Sequence, residues 1–157
     1  MLQIDVPGQS QALVLEHLIL DYNGTMAVDG VLNQDIRPAL NSLAQKLTIH
    51  VVTADTFGAA EANLSGLDVK FVKLTNRRQA EAKLDYLIAL GAQKSVCIGN
   101  GRNDRLMIKT ARLGIAVIGP EGACGKSVSN ADVVVSDIAS ALNLLLNPLR
   151  LTATLRD

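Results

Sequence analysis

The sequence has no tryptophan, two tyrosines, two phenylalanines, two cysteines and two histidines in 157 residues, and each shortage removes a class of protein. With aromatics at 3% there is no run of rings on which successive bases could stack, as single-strand nucleic-acid binders need. Cys97 and Cys124 are too few and too irregularly placed for a disulfide framework or a zinc set, and His17 and His50 have no ligand partner at metal-binding spacing. An excess of one charge is also missing. Fifteen basic residues balance fifteen acidic ones, so the composition carries no electrostatic footprint for nucleic acid or an anionic membrane. No stretch reaches the roughly 18 apolar residues of a membrane span, and the N-terminus lacks the basic segment and apolar run of a secretory signal. The expected setting is cytoplasmic, with neither nucleic acid nor membrane as partner.

Apolar residues, by contrast, are plentiful at 48%, and this length suits a single domain over 1–157 with one core. Short Val- and Ile-rich runs recur: "ALVLEHLIL", "KLTIHVVT", "LDVKFVKL", "KSVCIG", "RLGIAVIG" and "ADVVVS". Between them, segments 34–46, 57–65, 76–90 and 102–111 have lengths that suit crossover helices. In the third, Ala80, Leu84, Leu87 and Leu90 mark an apolar stripe that Gly91 terminates. The alternation predicts an α/β fold of three layers, a mainly parallel central sheet with helices on both faces. Cys97 is expected as a buried strand thiol and His50 as a packed or hydrogen-bonded imidazole. The tail reads as a helix to about Leu146, stopped before Pro148, followed by a short end that packs on the core or on a partner.

Sheets of this kind bind ligands outside the carboxyl ends of their strands. Polar residues gather there: Asp21 after the first run, Thr53 and Asp55 after the second, and "GNGRND" after "KSVCI". A carboxylate at a strand end, followed by Gly24, can face an electrophile while backbone amides come close. Taken alone, "DYNGT" is an ordinary Asx-type turn and Lys83 a solvated helix residue. Taken together, the set offers carboxylates for a cation, a hydroxyl and an ammonium for phosphate oxygens, and glycine turns for close approach.

These residues resemble the haloacid dehalogenase (HAD) superfamily, in particular its small soluble members related to the phosphorylation domain of P-type ATPases. The resemblance runs from about Leu15 to Leu146 and rests on four motifs in order: "DYNGT" at 21–25, Thr53 in "VVTAD", Lys83 in a helix, and "GNGRND" at 99–104. It implies a Rossmann-like domain with a minimal cap or none, acting as a phosphohydrolase on a phosphorylated substrate. By that resemblance Asp21 is the nucleophile and forms an aspartyl-phosphate. Thr53 and Lys83 hold the phosphoryl oxygens, joined by the backbone at Tyr22, Asn23, Gly24 and Ala54. Mg2+ is coordinated by Asp21, the Asn23 carbonyl and Asn100, with Asp104 in or behind the metal shell.

Two positions depart from that pattern. Where the phosphatases carry a second aspartate that protonates the leaving group, this chain has Asn23, which cannot transfer a proton. General acid–base help is worth about 10² to 10⁴ in rate, so hydrolysis of alkyl phosphates is expected to be slow. The ATPase branch also lacks that acid and works on a good leaving group. Asn100 stands where the metal-binding aspartate is usual, which predicts weaker metal affinity. A non-catalytic phosphate- or nucleotide-binding protein is the alternative these changes favour. A two-component receiver domain fits poorly, because Asp21 follows the first long run and Lys83 lies inside a helix.

Only 13 positions separate Asp21 from Gln34, which is room for a hairpin around "MAVDGVL" with Asp29 and Gly30 as its turn, but not for a lid domain. An open mouth makes a large substrate or a homo-oligomer neighbour the expected cover. "GPEGACGKS" at 119–127 lacks the spacing of a phosphate-binding P-loop and is expected to be a flexible surface loop, with Lys126 solvated.

Overall fold

The computed structural model describes residues 1–54, 59–75 and 78–157. The chain opens with two short strands, β1 (Leu2–Ile4) and β2 (Leu13–Leu15), paired antiparallel outside the main sheet. It then enters β3 (His17–Asp21), turns through the hairpin β4 (Ala27–Val28) and β5 (Val31–Leu32), and continues into α1 (Arg37–Ala44). Next come β6 (Thr48–Thr53), α2 (Ala59–Asn63), β7 (Lys70–Lys73) and α3 (Gln79–Leu90). The rest of the chain forms β8 (Ser95–Gly99), α4 (Arg105–Thr110), β9 (Leu113–Val117), α5 (Gly125–Val128), β10 (Val133–Val135), α6 (Ile138–Leu146) and α7 (Pro148–Leu155).

The central sheet has the order β10-β9-β8-β3-β6-β7, and each described pairing in it is parallel. Strand order reverses at β3, which lies between β8 and β6, so the carboxyl end of β3 is the place where a crevice opens. The period-two alternation of the strands divides the core into two layers. Leu18, Leu20, Ile49, Val51, Val96 and Ile98 pack with α1 and α6 residues such as Leu40 and Leu142. Ile19, Val52 and Cys97 point the other way, onto Leu87 of α3 and Met107 of α4. Each such buried aliphatic side chain contributes about 1.5–3 kcal/mol relative to exposure. The three-layer α/β expectation therefore holds, and Cys97 is the buried strand thiol it was expected to be. Burial, with the charge of Asp104 adding to it, pushes that thiol well above its ordinary pKa.

Two expectations need correction and a third needs an addition. "ALVLEHLIL" is two strands: β2 pairs with β1, and Glu16 is where the chain passes into the main sheet. The helix before Pro148 ends at Leu146 as expected and the rest of the tail packs on the core, but that rest is itself helical. Proline has no N–H to lose at a first helical position and its φ suits the helix, so Pro148 starts α7. Leu151 of that helix is buried and Thr152 Oγ1 donates to the Asp5 carbonyl at 3.0 Å, which folds the tail onto the first strand. Finally, residues 119–127 are pinned: Cys124 N donates to the Asn100 carbonyl at 2.8 Å, and Ser127 Oγ donates to the Gly101 carbonyl at 2.6 Å. Asp55 and the start of the 57–65 segment lie outside the described residues.

Candidate active site

Sheet order puts the ends of β8, β3 and β6 side by side, and with them Asn100, Asp21 and Thr53. Asp21, Thr53 and Asn100 are buried, and Ala54 is half-buried. Lys83 arrives from α3, whose buried face is Ala80, Lys83 and Leu87, so the lysine occupies a position in the apolar stripe. Its solvated reading fails: Lys83 is 1% exposed. Its ammonium lies 2.5 Å from Asp21 Oδ1 and 2.6 Å from Asp104 Oδ1, tying β3, α3 and the turn after β8 together. An unpaired ammonium at that depth would cost several kcal/mol.

Asp104 is fully occupied in this arrangement. Its Oδ1 accepts from Lys83 and its Oδ2 accepts from the amides of Asn100 at 3.1 Å and Gly101 at 2.8 Å. It therefore stands behind the site, orienting Lys83 and the Asn100 turn. The turn has no room for a side chain at Gly99, where an added Cβ would meet Asp104 Cγ at 2.4 Å. Gly24 is under the same constraint: its φ is +79° and an added Cβ would come within 2.4 Å of Asn100 Nδ2.

Thr25, to which sequence reasoning gave no role, links the two halves. Its hydroxyl is 3.1 Å from Asp21 Oδ2 and 3.2 Å from Asn100 Oδ1. The signal was present, since Thr25 closes "DYNGT", but nothing in the string shows that it reaches a residue 75 positions away. Asn100 is used as an amide: its Nδ2 donates to the Gly122 carbonyl at 2.9 Å, a bond no carboxylate at that position could make. Asn23 is exposed at the mouth. The backbone of the loop is partly committed, because Gly24 N donates to the Ala27 carbonyl at 2.8 Å, which removes it from an anion-binding nest. The Tyr22 ring turns inward, its hydroxyl accepting from Asn63 Nδ2 at 3.0 Å.

The charges settle accordingly. Burial raises the Asp21 carboxyl and the nearby Asp104 charge raises it further, while Lys83 and Thr25 pull it back, leaving it pushed up to about 6. Burial works to discharge Lys83, but the Asp21 and Asp104 carboxylates more than reverse this and hold it well above the ordinary lysine range. At neutral pH the pair is an ionised nucleophile candidate against a permanent ammonium.

Among the described residues no group of three or more His, Cys, Asp or Glu could hold a metal ion. Asp21 Oδ2 and Asn100 Oδ1 nevertheless face one hydroxyl, Thr25 Oγ1, from either side. Two hard oxygens so placed fit a magnesium-type cation in donor chemistry, with a single carboxylate to attract it. The β4–β5 hairpin forms as expected, with Asp29 at φ 51° and Gly30 at φ 77°, the two positive values a two-residue turn of this kind needs. It is tethered to the opposite loop by Asp29 N donating to Glu121 Oε1 at 2.8 Å.

No protein-family model matches the chain. Over 65 residues, 41% of this chain and 70% of the relative, it is 57% identical to an uncharacterised protein of Methanocaldococcus jannaschii. Among solved structures it is similar to 3-deoxy-D-manno-octulosonate 8-phosphate phosphatase of Moraxella catarrhalis, solved with magnesium, phosphate and KDO. The TM-score is 0.70 at 15% identity, over 85% of this chain and 86% of that one. The cobalt-bound deoxy-D-mannose-octulosonate 8-phosphate phosphatase of Haemophilus influenzae gives a TM-score of 0.69 at 14% identity, over 85% and 88% of the two chains. A candidate hydrolase of HAD superfamily subfamily III A from Legionella pneumophila gives 0.69 at 17%, over 90% and 87%. At these identities the likeness is one of fold. No helix among the described residues is long and apolar enough to cross a membrane.

Proposed function

Since the chain belongs to one family with the Methanocaldococcus jannaschii protein and has the haloacid dehalogenase fold, we propose that it is a divalent-cation-dependent phosphohydrolase with Asp21 as nucleophile. One observation carries the reading: a buried ammonium, Lys83, is held within 2.6 Å of two carboxylates, Asp21 at the end of β3 and Asp104 in the turn after β8, where this fold opens its crevice. An Asp21 oxygen attacks phosphorus, the bond from phosphorus to the leaving oxygen breaks, and an aspartyl-phosphate remains. Water then attacks that phosphorus, the bond to Asp21 breaks, and inorganic phosphate leaves. Lys83 and Thr53 hold phosphoryl oxygens through both displacements, and Thr25 keeps the Asp21 carboxylate in its orientation.

Asp21, the Asn23 carbonyl and Asn100 would hold Mg2+, which supplies charge neutralisation between an anionic nucleophile and an anionic ester. Asn23 lies at the mouth and donates no proton, so the leaving group departs unprotonated or takes its proton from solvent. Acyl and aryl phosphates, which leave well unprotonated, are therefore the preferred class. This is the chemical position of the P-type ATPase domain, which acts on a good leaving group.

The test is phosphate release from acetyl phosphate, p-nitrophenyl phosphate and glycerol phosphate, with and without magnesium. Magnesium-dependent turnover of the first two that disappears in Asp21→Asn is the expected result, and Asn23→Asp should extend it to glycerol phosphate by about 10²-fold or more. Undiminished turnover in Asp21→Asn would sink the assignment. Phosphate binding without turnover would select the second reading, a phosphate-binding protein, which the structural use of Asn100 as an amide favours.

A further inference from the structure

Outside the Asp21 cluster lies a surface groove of about 310 Å³ whose lining includes Arg78, Gln79, Glu81, Arg102, Asn103 and Arg105. In a chain with no net charge, three guanidinium groups meet a single carboxylate there. The groove adjoins the site through its inner wall. Asn103 Nδ2 donates to Gln79 Oε1 at 2.9 Å, closing an amide pair between the residue that precedes Asp104 and the residue one helical turn before Lys83 on α3. Arg105 is held in place by donation from Nη1 to the Arg102 carbonyl at 2.9 Å. Among the described residues neither Arg102 nor Arg105 has a carboxylate within ion-pair distance, the ion pairs lying elsewhere. Arginine on a groove wall matches planar anions with its fork of donors, and a phosphate or a carboxylate satisfies it equally.

We propose that this groove is a subsite for a second anionic group, so that the substrate is a compact phosphate compound carrying a further phosphate or carboxylate. The assignment rests on the phosphohydrolase reading for the identity of the first site. It also explains how an open mouth selects a small substrate: the anion in the groove fixes one end while Lys83 and Thr53 fix the other.

Calorimetric titration with ligands that are not hydrolysed tests it, in the presence of magnesium. Propylphosphonate has one anionic group, a three-carbon diphosphonate has two, and phosphonopropionate has a carboxylate as its second. The expected result is that at least one of the two-anion ligands binds about tenfold or more tightly than propylphosphonate, and which of them does so identifies the second group. In Arg102→Gln/Arg105→Gln the affinities should converge to within about twofold. In Lys46→Gln/Arg150→Gln, which removes two charges elsewhere, the wild-type ratio should persist. Equal binding of all three ligands by the wild type, or an equal loss of ratio in both double variants, overturns the subsite. Discrimination without acetyl phosphate turnover would leave the groove standing and remove the hydrolase, and turnover without discrimination would do the reverse.

Discussion

Two polar clusters tie α3 to β3, one through the turn after β8 and the other through β6, and they are built on opposite principles. At the carboxyl end of the sheet the Lys83 ammonium lies within 2.6 Å of a carboxylate oxygen of both Asp21 and Asp104. Toward the amino end His17 Nδ1 lies 3.2 Å from His50 Nε2, and His50 Nδ1 lies 2.8 Å from the Tyr86 hydroxyl. Ile19, Val52, Leu87, Cys97 and Met107 form the apolar cluster of that same face. Strand alternation explains the arrangement, since His17, Ile19 and Asp21 share one face of β3, and Lys83 and Tyr86 are one turn apart on α3. The cluster centred on His50 fastens helix to sheet through a ring that burial keeps neutral. The charged one bears the cost of burying ions where an anion can use it.

Breaking the charged cluster should have the largest effect. Lys83→Met leaves Asp21 and Asp104 facing each other without a cation and is expected to cost about 3–5 kcal/mol in urea unfolding. Adding Asp104→Asn to it should recover part of that loss while phosphate release stays absent. If the single variant is as stable as the wild type, the ion cluster does not hold α3 in place.

The His50 cluster should respond to pH instead. Burial, with the charges of His17 and Lys70 adding to it, lowers His50 from 6.5 to about 4, so the folded state keeps the ring neutral. Between pH 6.5 and 4 the unfolded chain takes up a proton that the folded chain refuses. The His50 contribution to stability therefore falls as pH falls through that window and is fully lost below about 4. His50→Gln has no such proton to refuse. Relative to wild type it should gain on the order of 2 kcal/mol between pH 7 and pH 4, as read from paired denaturation curves. A pH-independent difference would mean that His50 takes up its proton equally in the folded and unfolded chains, with no shift on folding. Asp21, raised from 3.8 to about 6, works in the opposite direction over the overlapping window, which is why the difference between proteins is more telling than either curve.

The smallest effect is expected at Tyr86→Phe, which removes one hydroxyl from His50: about 1 kcal/mol, with phosphate release unchanged. A matching fall in phosphate release would show that the His50 cluster sets the position of Lys83.

Much of the charged cluster was legible as sequence because strand ends and helix stripes are periodic. Asp21, Thr53 and Asn100 each follow an apolar run, and Lys83 sits on the stripe of Ala80 and Leu87. Of the other cluster only its centre was legible: His50 is the packed, hydrogen-bonded imidazole expected, but its partners were not foreseen. His17, His50 and Tyr86 are single polar residues inside three separate apolar segments, and no local spacing rule joins them. The arginine groove is hidden for the same reason, because Arg78 meets Arg102 and Arg105 only after α3 packs on the turn that follows β8. Gly24 shows a different failure. Its amide was assigned to an open nest, where the pairing with Ala27 decided otherwise.

The central place of β3 has a consequence for how the chain must assemble. A parallel strand cannot pair with its immediate successor through a tight turn, so β3 waits for β6 on one side and for Ser95–Gly99 on the other. A nascent chain that has not yet reached residue 95 carries Leu18, Ile19 and Leu20 with one edge bare, and Asp21 is parted from Lys83 by 62 positions of unfinished chain. Folding should thus be slow and gated by the arrival of β8, and fragments ending before it should be sticky on the ribosome and in the test tube.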